Sequence, residues 1–303
     1  MPQITDTHQH LWNLERLNLP WVSGVEALNR SFLMSDYLQA TEGTGVNRTV
    51  YMEVDAHPDD KQQEVNDMTL HCHNGSSPME GMVISADPAA ADFVTVLDTN
   101  SGNPCIKGVR HVLHTPERQA GSCLTSEFLQ GIRELGKRNL LFDICIRPSE
   151  LPDAVELCRR IPDTTFVLDH CGNPDPYIVN GQRQPDHSSP DPTFVHTKEV
   201  WLEAIHALGK LEHVICKISG IVARAQPGWT ATTLAPTVTA CLDTFGEDRV
   251  VFGGDWPVCT LGASLSQWIN ALAEIVSDRP AAFQEKLFHL NAERRYSLGG
   301  GGA

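Results

Sequence analysis

Short runs of aliphatic and β-branched residues recur along almost the whole chain, and each is followed by a longer stretch whose apolar positions return every three or four residues. The first pattern predicts a strand and the second an amphipathic helix. Strands are expected at Ile4–His10, Arg48–Asp55, Met79–Ala86, Ile106–Leu113, Leu140–Ile146, Thr165–Cys171, Val214–Gly220 and Arg249–Asp255. Helices are expected at Ser35–Glu42, Asp59–His73, Ala90–Thr99, Thr125–Arg138, Leu151–Arg160, Phe194–Leu208, Leu234–Phe245 and Ala263–Val276, with a last one over Ala281–Arg295. Eight strand–helix pairs in a chain of 303 residues fit an α/β TIM (β/α)8 barrel better than an open doubly wound sheet. No stretch reads as a linker, so residues 1–298 are expected to form a single barrel domain and residues 299–303 a flexible Gly-rich tail.

In such a barrel, active sites lie at the C-terminal ends of the strands. His10, Asp55, His114, Arg147, His170, Gly220 and Asp255 fall at or near those ends. Three long connections follow on the same side, at Trp12–Arg30, Asn173–Thr193 and Arg224–Thr233. The second carries Pro174, Pro176, Pro185, Pro190 and Pro192, and its length suggests a partial lid. The charge balance narrows the partners. A formal net charge of −15 argues against nucleic acid or an anionic membrane surface. No apolar run approaches the ~18 residues of a membrane span, and no signal segment is visible, so a cytoplasmic location is expected. Nine cysteines are present without a Cys-x-x-Cys pair. Cys145, Cys171 and Cys216 lie in apolar runs and read as buried thiols in a reducing compartment.

The candidate chemistry starts in Thr5-Asp6-Thr7-His8-Gln9-His10. On an extended segment alternate side chains share a face, so Asp6, His8 and His10 would point the same way. Two imidazoles from one strand suit a divalent metal or an oxyanion, and a carboxylate can orient them. Glu53 shares a polar face with Tyr51 and Asp55; it could ligate a metal, bind a hydroxyl or pair with Lys217. Arg110 and His111 are consecutive, so one of them faces the pocket and the other packs outside. Arg147 could meet an oxyanion or carboxylate, or form a surface ion pair. Trp12, Trp21, Trp229 and Trp256 fall in strand-end loops, where they would stack on a sugar ring or simply pack. Of the remaining histidines only His114 and His187 lie near the active end. Asp255 reads either as a general base or as a helix N-cap. Gly253-Gly254 lacks the spacing of a phosphate loop.

Six segments extend the pattern: Gly108-Val109-Arg110-His111, Phe142 to Pro148, Phe166 to Pro174, Cys216 to Gly220, Phe252 to Cys259 and Asn291 to Tyr296. With the His-x-His strand, His170 and Asp255, they resemble the amidohydrolase superfamily, and more closely its amidohydrolase-2 branch of sugar and dicarboxylate lactonases. Two positions depart from that pattern, Gly254 where Ser is expected and Cys171 where Leu or Ala is expected. The resemblance implies hydrolysis, with Asp255 as the base that takes a proton from water and returns it to the leaving alkoxide. His170 and His111 join Asp255 as catalytic candidates; Arg110, Arg147, Glu53, Trp12 and Trp229 are the substrate-binding candidates. His8, His10, His170 and Asp255 would hold one divalent ion, with zinc expected, or the imidazoles would act directly as donors, since some lactonases of the branch work without metal. The fifth strand offers Asp143 and Arg147 but no His, so a second metal is not implied.

The expected partner is a small-molecule sugar lactone, a deoxy-aldonolactone such as L-fucono- or L-rhamnonolactone, with self-association left open. The alternatives are a metal-dependent decarboxylase on the same fold, a hydrolase of a pyrone- or muconolactone-type ring, and a non-catalytic metabolite-binding barrel.

Overall fold

The apolar runs pair in chain order. β1 (Ile4–Gln9), β2 (Val46–Met52), β3 (Met79–Ser85), β4 (Ile106–Val112), β5 (Leu141–Cys145), β6 (Phe166–Leu168), β7 (Val214–Ile218) and β8 (Val250–Phe252) form one parallel sheet in that order. Just past the ends of β1 and β8, Gln9 bridges Trp256. The backbone N–H groups of His10 and Asp255 donate to Trp256 O and His8 O, both at 2.8 Å, which nearly closes the barrel. The computed structural model describes residues 3–186 and 192–299. Within them α1 (Met34–Ala40), α2 (Lys61–Cys72), α3 (Phe93–Thr99), α4 (Ser126–Lys137), α5 (Leu151–Arg160), α6 (Pro176–Val179), α7 (Lys198–Gly209), α8 (Ala231–Phe245) and α9 (Leu265–Ile275) accompany the strands. α10 (Ala281–Glu285) and α11 (Asn291–Arg295) end the chain, joined by a π-turn at Lys286–Leu290. This is the TIM barrel that the alternation predicts. None of the described helices is long and apolar enough to cross a membrane.

Local chemistry fixes where the helices begin. Thr125 Oγ1 accepts from Phe128 N at 3.3 Å to start α4, and Thr197 Oγ1 accepts from Val200 N at 3.2 Å to start α7. Ser264 and Gln267 form a reciprocal capping box on α9. Such caps are each worth about 1 kcal/mol. Two cores result. Trp201, Trp268, Phe142, Phe166 and Phe252 fill the layer between sheet and helices. Val50, Met52, Val83, Leu141, Val167, Ile215 and Val251 face into the barrel, whose base is filled by Ala292 and Tyr296.

The strand ends differ from expectation. β6 stops at Leu168 and β8 at Phe252, each three residues before the predicted end. Beyond them the backbone turns left-handed at His170 (φ 54°), Cys171 (φ 55°) and Asp255 (φ 56°), and likewise after β2 at Asp55 (φ 49°). Outside glycine this conformation is sparsely populated and concentrates at functional sites. The helix expected from Phe194 begins at Lys198, because Pro192–Phe194 makes a separate turn. α8 starts at Ala231, three residues earlier than expected, and holds Pro236 within it.

The cysteines need a correction. Cys72, at the end of α2, and Cys105, just before β4, are joined in a disulfide; the other seven are buried free thiols. Of the segment expected to form a lid, residues 187–191, with His187 and Pro190, lie outside the described residues, as do tail residues 300–303.

Candidate active site

Below the mouth of the barrel lies a fully buried set of charges. Lys217, inward on β7, reaches Asp143 on β5 at 2.5 Å and Asp169, just past β6, at 3.0 Å. Burial alone would lower the lysine, but the two carboxylates outweigh it and hold the ammonium above its ordinary value. Asp169 is opposed by its own burial, yet Lys217 and His8 keep it well below the usual carboxylate range. Asp143, paired with the same ammonium, is pushed up by burial to about 7. Above this layer Glu53 and Arg110 form a second buried pair, with Arg110 Nε at 2.5 Å from Glu53 Oε1 and Nη2 at 2.7 Å from Glu53 O. Glu53 therefore pairs with Arg110 and not with Lys217.

His8 links the two layers. Its Nδ1 lies 3.5 Å from Asp169 Oδ1, and its Nε2 accepts from Arg110 Nη1 at 3.3 Å. A guanidinium can only donate, so the lone pair of His8 is on Nε2. Burial lowers its pKa well below the ordinary value against the pull of Asp169, and the ring is neutral at neutral pH. His10 is set the same way by a different partner, since its Nδ1 donates to Met52 O at 2.9 Å. Both Nε2 lone pairs then face Asp255, whose Oδ1 lies 3.7 Å from His8 Nε2 and 3.5 Å from His10 Nε2. His170 Nδ1 sits 2.9 Å from Ser219 Oγ, and burial lowers this ring too.

His10, His170, Asp255 and Arg110 open into a cavity of about 440 Å³ at the C-terminal end of the barrel. Asp55, His114, Thr115, Asn173 and Arg224 also line it. His8 and Glu53 lie beneath: Glu53 acts through Arg110, and His8 turns its Nε2 toward Asp255.

Several sequence-based assignments need correction. Asp6 does not share the face of the imidazoles, because the register shifts between Asp6 and Gln9. Its carboxylate sits behind them and accepts from Tyr37 Oη at 2.8 Å, His8 N at 2.9 Å and Gly254 N at 2.6 Å. Of the consecutive pair on β4, Arg110 faces the cavity. His111 faces the helix layer, 3.4 Å from Asp87 and against Phe128 of α4, so it is not placed to act on a substrate. Arg147 turns from the cavity to Glu150 at 2.8 Å and to the carbonyls of Thr115 and Arg118. Trp12 is buried against Trp21 and Phe32 with its N–H on Arg30 O at 2.6 Å. Trp229 donates to Gly262 O at 2.9 Å, outside the cavity. Trp256 packs behind the site between Phe32 and Tyr37. Of the four tryptophans, Trp21 alone lines the cavity.

The sequence reading missed Asp169, Ser219, Asn173 and Arg224. Asp169 and Ser219 had a usable signal, because each continues the inward alternation of its strand, from Val167 and from Ile215 and Lys217. Asn173 and Arg224 had none, since they sit in irregular turns.

The donors suit a metal. His8, His10 and Asp255 bring one ligand atom each within 4.8 Å of one another, and His8, Asp169 and His170 do the same. Two imidazole lone pairs and a carboxylate are a familiar set for a divalent ion, and the groups that orient them (Met52 O and Asp169) are already in place.

Comparison with known proteins finds relatives that span nearly the whole chain. An L-fucono-1,5-lactonase of Burkholderia multivorans is 26% identical over 97% of this chain and 95% of its own. An L-rhamnono-gamma-lactonase of Scheffersomyces stipitis is 20% identical over 98% and 99%. Two crystal structures of an amidohydrolase from Burkholderia multivorans are similar throughout, each 25% identical and covering 98% of this chain and 99% of that one. The one with bound HEPES superposes with a TM-score of 0.82 and the one with bound zinc with 0.81. The amidohydrolase family profile matches residues 5–298. With that match spanning the barrel from β1 to beyond α11, the chain belongs to the amidohydrolase family.

Proposed function

We propose that this barrel hydrolyses a lactone, with Asp255 as the base that takes a proton from water and delivers it to the alkoxide released when the ring opens. The observation that carries the reading is the convergence of Asp255, His10, His170 and the Arg110 guanidinium on one cavity, with the Nε2 atoms of His8 and His10 turned toward the carboxylate. Ester cleavage needs an acceptor for the water proton and positive charge near the developing oxyanion. Asp255 supplies the first. Arg110 supplies the second, fixed by Glu53 so that its charge needs no reorganisation during reaction. Lys217 and Asp169 hold His8 from below and keep its tautomer.

His8, His10 and Asp255, with His170 beside them, would hold a divalent ion, and zinc matches this donor set best. When bound it would supply Lewis-acid polarisation of the scissile carbonyl. The relatives' names make deoxy-aldonolactones the reference substrates.

The test is proton release from a panel of lactones in weak buffer, with purified protein as isolated, after chelation and after zinc is restored. Turnover is expected, falling about 10²- to 10⁴-fold in Asp255→Asn. If the folded wild-type protein opens no lactone under any of these conditions, the reading is wrong, and CO2 release from aromatic acids becomes the assay to run.

A further inference from the structure

The cavity divides into two sides. On one, the loops after β8, β1 and β2, which are neighbours around the barrel, contribute Val258, Leu261, Val25, Leu28 and Val54, with Asp55 beyond Val54 as the charged group at its edge. Trp21 completes this side. Its indole N–H donates to Val54 O at 2.8 Å, so what it offers the cavity is hydrocarbon. Leu261, which lines the cavity, is 44% exposed. The side facing this one carries the polar groups His114, Thr115, Asn173 and Arg224, set among Val112, Phe194 and Ala223.

We infer that the substrate is an amphipathic lactone, one whose ring carries an alkyl chain of several carbons or a fused aromatic ring. The ester lies over Asp255, and the apolar part covers the Trp21–Leu261 wall. This rests on the lactonase reading above and deepens it. Away from Asp55, a ring hydroxyl pressed against the Trp21–Leu261 wall would leave water without gaining a partner, which is unfavourable. Each methylene buried there would instead add about fourfold to binding. Of the tryptophans expected to stack on a sugar ring, Trp12 and Trp229 lie outside the cavity and Trp21 alone offers it an indole face.

The experiment compares kcat/KM of the full chain, with zinc supplied, on a δ-lactone bearing a five-carbon chain, on dihydrocoumarin and on L-fucono-1,5-lactone. At least one of the first two is expected to exceed the third by tenfold or more. In Leu261→Asn and Val258→Asn that ratio should fall by about an order of magnitude, with far-ultraviolet circular dichroism and melting temperature reporting on folding. Equal or better turnover of the fuconolactone by wild type overturns the inference and leaves lactone hydrolysis standing.

Binding is measured in parallel, by calorimetry with two lactams that cannot be opened in the same way, one alkylated and one polyhydroxylated. Tenfold tighter binding of the alkylated lactam, weakened in Leu261→Asn, supports the wall even if no lactone is turned over. Equal binding of the two lactams overturns it.

Discussion

His170 rests on a glycine. Gly220 has φ +68°, and a Cβ built there would lie 2.2 Å from His170 Nδ1 and 2.4 Å from its Cγ. The ring is also held by Ser219, so the cavity is the side left open to it. Gly220→Ala should therefore displace His170 as well as strain the backbone, which costs about 1–2 kcal/mol by itself. The expected outcome is a kcat/KM lower by roughly 10²-fold, the penalty for ångström-scale misplacement, with a much smaller change in melting temperature; steady-state kinetics and thermal unfolding together check it.

Gly254 obeys the same logic. A Cβ there would lie 2.4 Å from Asp6 Oδ2, so a Ser at this position requires the Asp6 carboxylate to shift. A second residue-scale consequence concerns Glu64 on α2, which accepts from Tyr51 Oη and Val54 N, both at 2.9 Å. Burial, with the Glu53 carboxylate adding to it, pushes Glu64 from 4.5 up to about 8. Between those values the folded chain keeps a proton that the unfolded chain has released, so stability falls as pH rises through this window and the loss is complete above it. Glu64→Gln keeps the accepting oxygen and cannot ionise. Its melting temperature relative to wild type should rise by roughly 3 °C or more between pH 5 and pH 9. A difference that stays flat across that range would refute the assignment.

At the scale of elements, short runs of aliphatic and β-branched residues were enough to find every strand, because the strands are buried on the helix side and in the barrel interior. They did not find the strand ends. Asp55, Asp255 and His170 belong to residue types enriched in left-handed backbone, but Cys171 does not, and Gly172-Asn173-Pro174 announces a turn only after it. The phase of a strand about the barrel axis was hidden for a related reason. Alternation separates Arg110 from His111, but only contact with Glu53 on one side and Phe128 on the other decides which is inward. The Cys72–Cys105 link was equally illegible, since it joins the end of α2 to the entry of β4 across 33 residues. It makes a direct prediction. Denatured without reductant, the protein should titrate seven thiols, and nine after reduction. Nine in both cases would mean that the pair is open in solution.

The whole molecule places its chemistry at the one join the chain must make between its beginning and its end. His8 and His10 come from the first strand and Asp255 from just beyond the last, so the site exists only once the barrel has closed. Asp6 is the clamp at that seam. It bonds Gly254 N across it, His8 N beside it and Tyr37 Oη behind it, all buried. Asp6→Ala leaves those three donors without an acceptor, at about 1–3 kcal/mol each. The melting temperature should fall by about 8 °C or more, and kcat/KM at 25 °C should collapse while the protein is still folded, because His8 and Asp255 are no longer held in register. Asp6→Asn is the discriminating control. Its amide oxygen can accept from both backbone N–H groups and its NH2 can donate to the tyrosine oxygen, so stability and activity should stay close to wild type. If Asn is as damaging as Ala, the negative charge of Asp6, and not its geometry as an acceptor, is what the seam requires.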